Sequence, residues 1–224
     1  MQTAAAPLAD DPTLDEIRLA LAPDIALAAM FDGWTDSAIE SAATGKGVDP
    51  DVARLAFSGG AMDMIDAWVA SVDSAMEDEF ADGRLGNMPI RERIRSLVWF
   101  RLQAIAGLEE SLSRAMSIQA IPQNVPAALK QGWSSADRMW RLAGDTATDY
   151  NHYTKRGILA SIYGATLAVW KSDTSEGKSE TAAFLDRRIE GVMKFEKAKA
   201  QFLGKDREHF DVARFLGRLR YPQR

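Results

Sequence analysis

Apolar side chains in this chain return every three or four residues, and that spacing constrains the fold more than any other property of the sequence. The series Met62, Ile65, Val69, Val72, Met76 and Phe80 marks one core-facing side of a helix. Gly59 and Gly60 precede it, and the run Gly83, Gly86, Asn87, Pro89 ends it. Ile90, Ile94, Leu97, Phe100 or Arg101, Ile105, Leu108 and Leu112 then predict a second long helix. Pro122 and Pro126 bracket a loop, with the next helix expected from Val125 to about Ala143. The segment 144–149, GDTATD, reads as a tight corner in which Gly144 closes one helix and Asp145 or Thr148 caps another. Helices over about 148–170 and 180–203 follow. Sustained apolar/polar alternation between hairpin turns is missing, so no strands are expected and the fold class is all-α.

The front of the chain carries its own pattern. An apolar helix ends at Phe31-Asp32-Gly33-Trp34, Thr35 is placed to cap a short helix, Gly45-Lys46-Gly47-Val48 makes a turn, and Asp49-Pro50 opens a third helix ending near Phe57. A glycine turn followed by an apolar residue lets two short helices cross closely. In layout this resembles the helix-turn-helix of TetR regulators. DNA binding requires phosphate neutralisation, yet residues 24–66 hold eight acidic side chains against Lys46 and Arg54, a balance of −6. Asp49 and Asp51 would stand where a reading helix meets base edges and phosphates. The unit is therefore expected to be a retained three-helix packing element that binds no nucleic acid.

Charge is polarised along the whole chain. Residues 1–100 carry 7 Lys/Arg against 18 Asp/Glu, whereas residues 194–224 carry 9 against 4. With 224 residues and 46% hydrophobic content a sizeable core is possible, and with no cysteine there is no disulfide framework, thiolate zinc site or cysteine nucleophile. A reducing compartment is expected. The opening lacks a basic segment followed by an apolar run, and no 18-residue apolar window occurs later, so neither a secretion signal nor a membrane span is read.

Chemistry-bearing motifs are sparse. The only histidines are His152 and His209, and phosphate-binding glycine loops, a nucleophile elbow and H-E-x-x-H are all lacking. Asp149 and His152, three apart, look like half of a carboxylate-bridged di-iron site, but the second acid/histidine pair such a site needs is not supplied. No enzyme activity, metal or cofactor is expected.

The stretch from Trp133 to Tyr163 is unusual. It holds two Trp, three Tyr and one of the two His. On a helical wheel Gly157, Ala160, Gly164 and Ala168 form a narrow strip of small residues, while Ile158, Leu159, Ile162 and Val169 cover much of the other side. A small-residue strip admits either a closely packed helix or a ligand groove. Trp133, Met139, Trp140, Tyr150 and Tyr153 lie around the preceding corner, where aromatic and Met side chains suit a protein partner as well as a core. In the last segment Phe202, Val212, Leu216 and Leu219 share an apolar sector, with Arg207, Arg214 and Arg218 opposite. That layout suits a membrane surface or a helix docked on its own domain or a dimer mate.

The region from Ile121 to about Phe195, about a third of the chain, carries the runs IPQNVPAAL, ADRMWRLAGDTATDYNHYTKR, LASIY and FLDRRIEGVM and resembles the lipid-binding accessory proteins of ubiquinone biosynthesis. The resemblance implies a TetR-like helical bundle that has lost DNA binding, and a non-catalytic homodimer. It implies an apolar pocket for an isoprenoid quinone intermediate or phospholipid, presented to a ubiquinone-pathway hydroxylase. The corresponding organisation is a disordered 1–12, a helix-turn-helix-like unit at 13–58, a lipid- and partner-binding domain at 59–203 and an amphipathic helix and tail at 204–224. By the same resemblance the partner patch falls on Met139, Trp140, Asp149, His152 and Tyr153; animal members carry Trp where His152 stands, making the contact here less apolar and open to protonation. Leu129, Trp133, Ile158 and Ile162 are nominated as pocket lining from their place on the enclosing helices. Membrane contact is expected from Phe202, Arg207, Phe210, Arg214, Phe215, Leu216, Arg218 and Leu219. The resemblance places the protein peripherally on the inner face of a bacterial inner membrane, or on the matrix side in mitochondria. A TetR-type regulator and a di-iron enzyme are the alternative readings.

Overall fold

The structure is a computed structural model that describes residues 11–146 and 150–204. Among the described residues the secondary structure is wholly helical: α1 (Leu14–Asp32), α2 (Asp36–Lys46), α3 (Pro50–Ala56), α4 (Ala61–Glu79), α5 (Ile90–Ala104), α6 (Glu109–Gln119), α7 (Val125–Leu142), α8 (Tyr150–Trp170) and α9 (Ser179–Gly204), with 3-10 turns at Arg84–Asn87 and Glu176–Lys178. The chain divides into two compact units, residues 1–185 and 186–224. The opening segment 1–10 lies outside the described residues.

Local chemistry explains the front unit. Thr13 and Glu16 form a reciprocal capping box at the start of α1. Gly47 closes α2, and the Asp49 carboxylate accepts the Asp51 N–H at 2.8 Å to cap α3, whose first residue is Pro50. Thr35 precedes α2 as expected, but its hydroxyl donates to the Asp32 carbonyl at 3.1 Å instead of capping the helix. Helix α1 packs on α2, α3, α4 and α6. Trp34 donates its indole N–H to the Ser111 carbonyl at 3.1 Å, and the Ser111 hydroxyl donates to the Ala26 carbonyl at 2.6 Å, so buried polar groups fasten this unit to α6.

The cations of the helix-turn-helix segment are committed to neighbouring acids. Lys46 pairs with Asp24 at 3.3 Å, and Arg54 pairs with both Glu40 and Asp51. What positive charge α2 and α3 possess is thus already matched on the protein, which adds a geometric reason to the electrostatic one against phosphate contact.

The apolar series from Ile90 to Leu112 belongs to two helices, because Gly107 adopts φ +84° and breaks the run between α5 and α6. Ile90 is exposed, and of the two candidates at the middle of the series it is Arg101, not Phe100, that is fully buried. On α4 the buried face is centred on Met64, Ile65, Trp68, Val72 and Met76, with Met62 and Val69 only half-buried.

Candidate functional site: an apolar cavity and an aromatic corner

Helices α4 to α8 surround a cavity of about 550 Å³. Helix α4 supplies Ile65, Trp68, Val69 and Val72; α6 adds Leu112, Ala115 and Met116; α7 adds Val125, Ala128, Leu129 and Trp133. The volume lies in the range of small-molecule sites, roughly 300–1,000 Å³, and the lining is overwhelmingly apolar, as such sites require.

The sequence of α8 explains why the space exists. Gly157, Ala160 and Gly164, three of the four residues of the small strip read from the helical wheel, stand on the cavity wall together with Ser161, Tyr163 and Leu167, whereas Ala168 does not line it. A methyl group added at Gly164 would meet no atom within 4 Å, and one at Gly157 would only touch Trp133 at 4.0 Å. The strip faces open volume and not a closely packed helix. Leu159, Ile162, Thr166 and Trp170 form the buried side of the same helix. Of the four nominated lining residues, Leu129 and Trp133 stand on the wall, whereas Ile158 and Ile162 do not. They lie on the bulky face of α8, which the wheel distinguished from the small strip; Ile162 is buried in the core. Leu129, 70% exposed, marks a rim where apolar surface meets solvent.

Sequence reasoning missed the polar residues of the cavity. Arg101, on α5, is 1% exposed and is part of the wall. Its Nη1 donates to the buried Asp73 on α4 and its Nη2 to the Ser135 hydroxyl on α7 at 3.1 Å, while its guanidinium carbon stands 4.9 Å from the Tyr163 ring centre. Burial pushes the Asp73 carboxyl upward, with the adjacent Arg101 charge opposing the shift. The available signal was a charged residue falling in register with an apolar series, because such a residue is buried only with a partner.

At the corner between α7 and α8 Trp133, Trp140 and Tyr153 come together, while the side chain of Tyr150 lies outside the described residues. Tyr153 is 62% exposed, its ring 6.0 Å from Trp133 and 5.1 Å from His152. Trp140 donates its indole N–H to the Lys155 carbonyl at 3.0 Å, which turns the ring onto the α7–α8 seam. Met139 is fully buried, so it cannot meet a partner directly; it sits beneath the patch as packing. Asp149 and Thr148 lie outside the described residues. Gly144 closes α7 at φ +87°, where an L side chain would be strained.

Beneath this patch is an ionic clasp. Arg156, 2% exposed, donates through Nε to Asp137 at 2.5 Å and through Nη1 to Asp145 at 3.0 Å and the His152 carbonyl at 3.2 Å. Lys155 donates to Asp145 at 2.6 Å. Asp145, considered as a helix cap, is therefore an ion-pair partner. Burial opposes its charge, but the hydrogen bonds from Lys155 and Arg156 outweigh that and hold its carboxyl below the ordinary value. Asp137 is lowered in the same way, against burial, chiefly by Arg156 and Arg141.

No group of three or more His, Asp or Glu side chains able to hold a metal is found among the described residues. No helix among them is long and apolar enough to cross a membrane. Phe202 falls on α9, but its side chain, and the whole of Arg207, Phe210, Arg214, Phe215, Leu216, Arg218 and Leu219, lie outside the described residues.

Comparison with known proteins supplies the last observations. Residues 125–196, which span α7, α8 and most of α9, match the COQ9 family model. The chain is 35% identical over 167 residues to the rat mitochondrial ubiquinone biosynthesis protein COQ9, covering 72% of this chain and 54% of that one. It is 33% identical over 168 residues to the human protein of the same name, covering 72% and 52%. The chain thus spans about half the length of these curated relatives. In structure it is similar to a TetR transcriptional regulator from Nitrosomonas europaea, with a TM-score of 0.61 and 23% identity over 77% of this chain and 95% of that one. At that identity the likeness speaks for the fold alone, which is TetR-like and, among the described residues, all-helical.

Proposed function

We propose that this COQ9 relative is a non-catalytic accessory protein of ubiquinone biosynthesis that holds an isoprenoid quinone intermediate in the cavity between α4 and α8 and hands it to a partner hydroxylase. The observation that carries this reading is the coincidence of the apolar cavity wall on α7 and α8 with the segment shared with COQ9. A polyprenyl chain is costly to expose to water, by about 0.8 kcal/mol per methylene. A hydroxylase acting on such a molecule therefore benefits from an apolar conduit, and a carrier provides one without covalent chemistry.

In this reading Leu129 and Trp133 contact the lipid directly, and Trp140, His152 and Tyr153, with Asp149, form the partner surface over the buried Met139. The protein acts as a homodimer, and the stretch 204–224 touches the membrane through its phenylalanines, leucines and arginines. The names of the animal relatives place them in mitochondria, and the corresponding site for this chain is the inner face of an energy-transducing membrane. The unit at 13–58 is a packing element, with the pairing of Lys46 and Arg54 to acids favouring that role over gene regulation.

Native mass spectrometry with lipid extraction, on protein purified from a quinone-producing host, tests the proposal. About one isoprenoid lipid per chain is expected. A chain that arrives lipid-free and takes up neither isoprenoid lipid nor anionic vesicles would sink it.

A further inference from the structure

The cavity is apolar over most of its wall, and among its polar lining residues Arg101, Ser135, Gln119, Gln131, Ser161 and Tyr163 only Arg101 holds a buried donor without a partner. Arg101 is buried, yet its Nε–H has no hydrogen-bond acceptor, while both terminal nitrogens are used. Ser135, 2% exposed and also on the wall, accepts from Arg101, which leaves its own hydroxyl hydrogen to give. An unmade hydrogen bond on a buried donor is costly, so a group that fills the cavity and accepts from Arg101 binds with a gain over one that does not.

Charge around Arg101 is already balanced. Arg101 pairs with Asp73, the other Asp73 oxygen lies 3.5 Å from Arg138, and Arg138 pairs with Glu77 at 2.7 Å. Two cations thus meet two carboxylates. An added anion would be buried without a counter-charge of its own, against a steep desolvation cost. A neutral oxygen acceptor meets the need without that cost.

We infer that Arg101 and Ser135 form a head-reading subsite for a neutral, carbonyl-bearing ring, and that the ligand enters head first with its chain leaving past Leu129 at the rim. This rests on the lipid-carrier reading and narrows its cargo to quinone-type heads over phosphorylated lipids. Arg101 and Ser135 are the selectivity residues of the cavity, and α5 is the helix that reads the head. A cavity of about 550 Å³ takes a ring and a short length of chain, so a long tail continues outside it.

The test uses the full chain and three probes with the same two-isoprene chain: a ubiquinone, an oxygen-free aromatic hydrocarbon and a monophosphate, offered as an equimolar mixture and counted by native mass spectrometry. The wild type is expected to favour the quinone over the hydrocarbon by about tenfold, the size of one hydrogen bond to a charged donor. Arg101→Lys keeps a cation for Asp73 but loses the Nε–H and the planar fork; it should bring the two within about twofold. Ser135→Ala leaves the Arg101–Asp73 pair in place and should reduce the preference by a few-fold, which keeps the inference testable if the lysine variant does not fold. Equal binding of quinone and hydrocarbon by the wild type overturns the head-reading subsite and leaves the carrier standing. A preference for the phosphate overturns the neutral-head assignment, and a preference that survives both substitutions removes Arg101 and Ser135 from the role. Binding of none of the three overturns the lipid cavity itself.

Discussion

Small residues have opposite uses at two places in this molecule. In the front unit α1 buries Ala22, Ala26 and Ala29, α2 buries Ala38, Ala42 and Ala43, and α3 buries Ala53 and Ala56; all are sealed by neighbouring helices. On α8, Gly157, Ala160 and Gly164 stand against a cavity. The first set lets backbones approach until no space is left, as in any densely packed interior. The second set withholds side chains where no backbone approaches, and volume remains. A row of small residues therefore says that something comes close or that something is left out, and only the position of the surrounding helices decides which.

Helix α4 is shared by both regions, since it packs on α1 and also supplies Ile65, Trp68, Val69 and Val72 to the cavity. The largest effect is expected at its buried carboxylate. Asp73→Ala strands the Arg101 charge in the interior, and removal of one partner of a buried pair costs roughly 3–5 kcal/mol. Chemical denaturation should show a loss of that size, whereas a double replacement of Asp73 and Arg101 by Met should recover most of it. Equal losses in the single and double variants would show that the pair is not coupled.

The direct contrast comes next. Ala29→Leu forces extra atoms into the filled region and should destabilise by about 1–3 kcal/mol. Ala160→Leu points the same atoms at open volume, and its stability should change by less than about 0.5 kcal/mol while lipid uptake falls. Comparable destabilisation by both substitutions would erase the distinction between filled and hollow regions.

The clasp at the α7–α8 corner separates the regions by pH. Asp145 and Asp137 have folded-state values below the ordinary 3.8, so their contribution is complete above that pH and is lost as pH falls through the lowered values. Asp145→Asn should therefore lower stability at pH 7, and the gap from wild type should close as the medium is acidified below 3.8. The ion pairs of the front unit offer no such lever, because Arg54 and its partners are well exposed and solvent screens them. A gap that stays constant from pH 7 to strong acid would remove the clasp from the stability of the corner.

Much of this arrangement was legible in the residues. The Gly47 and Asp49-Pro50 punctuation located the turn and third helix of the front unit because each residue acts on its own backbone. The break at Gly107 was not legible: Ile105, Leu108 and Leu112 keep helical spacing across it, so the pattern continues where the helix does not. Arg101 entered the apolar series only as an alternative to Phe100, since nothing local announces Asp73, 28 residues away, as its partner. Met139 could not be separated from Trp140 by residue type, although the two lie on different faces of α7 and only Met139 is sealed. The misses at Arg101 and Met139 concern what a face meets, which depends on helices distant in sequence.

The smallest expected effect isolates that point. Gly164 lies inside α8, where glycine costs roughly 0.5–1 kcal/mol relative to alanine through backbone freedom lost on folding. A methyl group there meets no atom within 4 Å, so Gly164→Ala should raise stability by about that amount. Ala26→Gly, in the sealed front, should lower it by at least as much, since it adds the same backbone cost to a void among packed neighbours. A melting-temperature comparison reads both. Opposite signs fit a residue that is small to keep space open and one that is small because space is full. A loss for Gly164→Ala would mean that α8 is packed more closely than its strip of small residues implies, and the cavity would be correspondingly smaller.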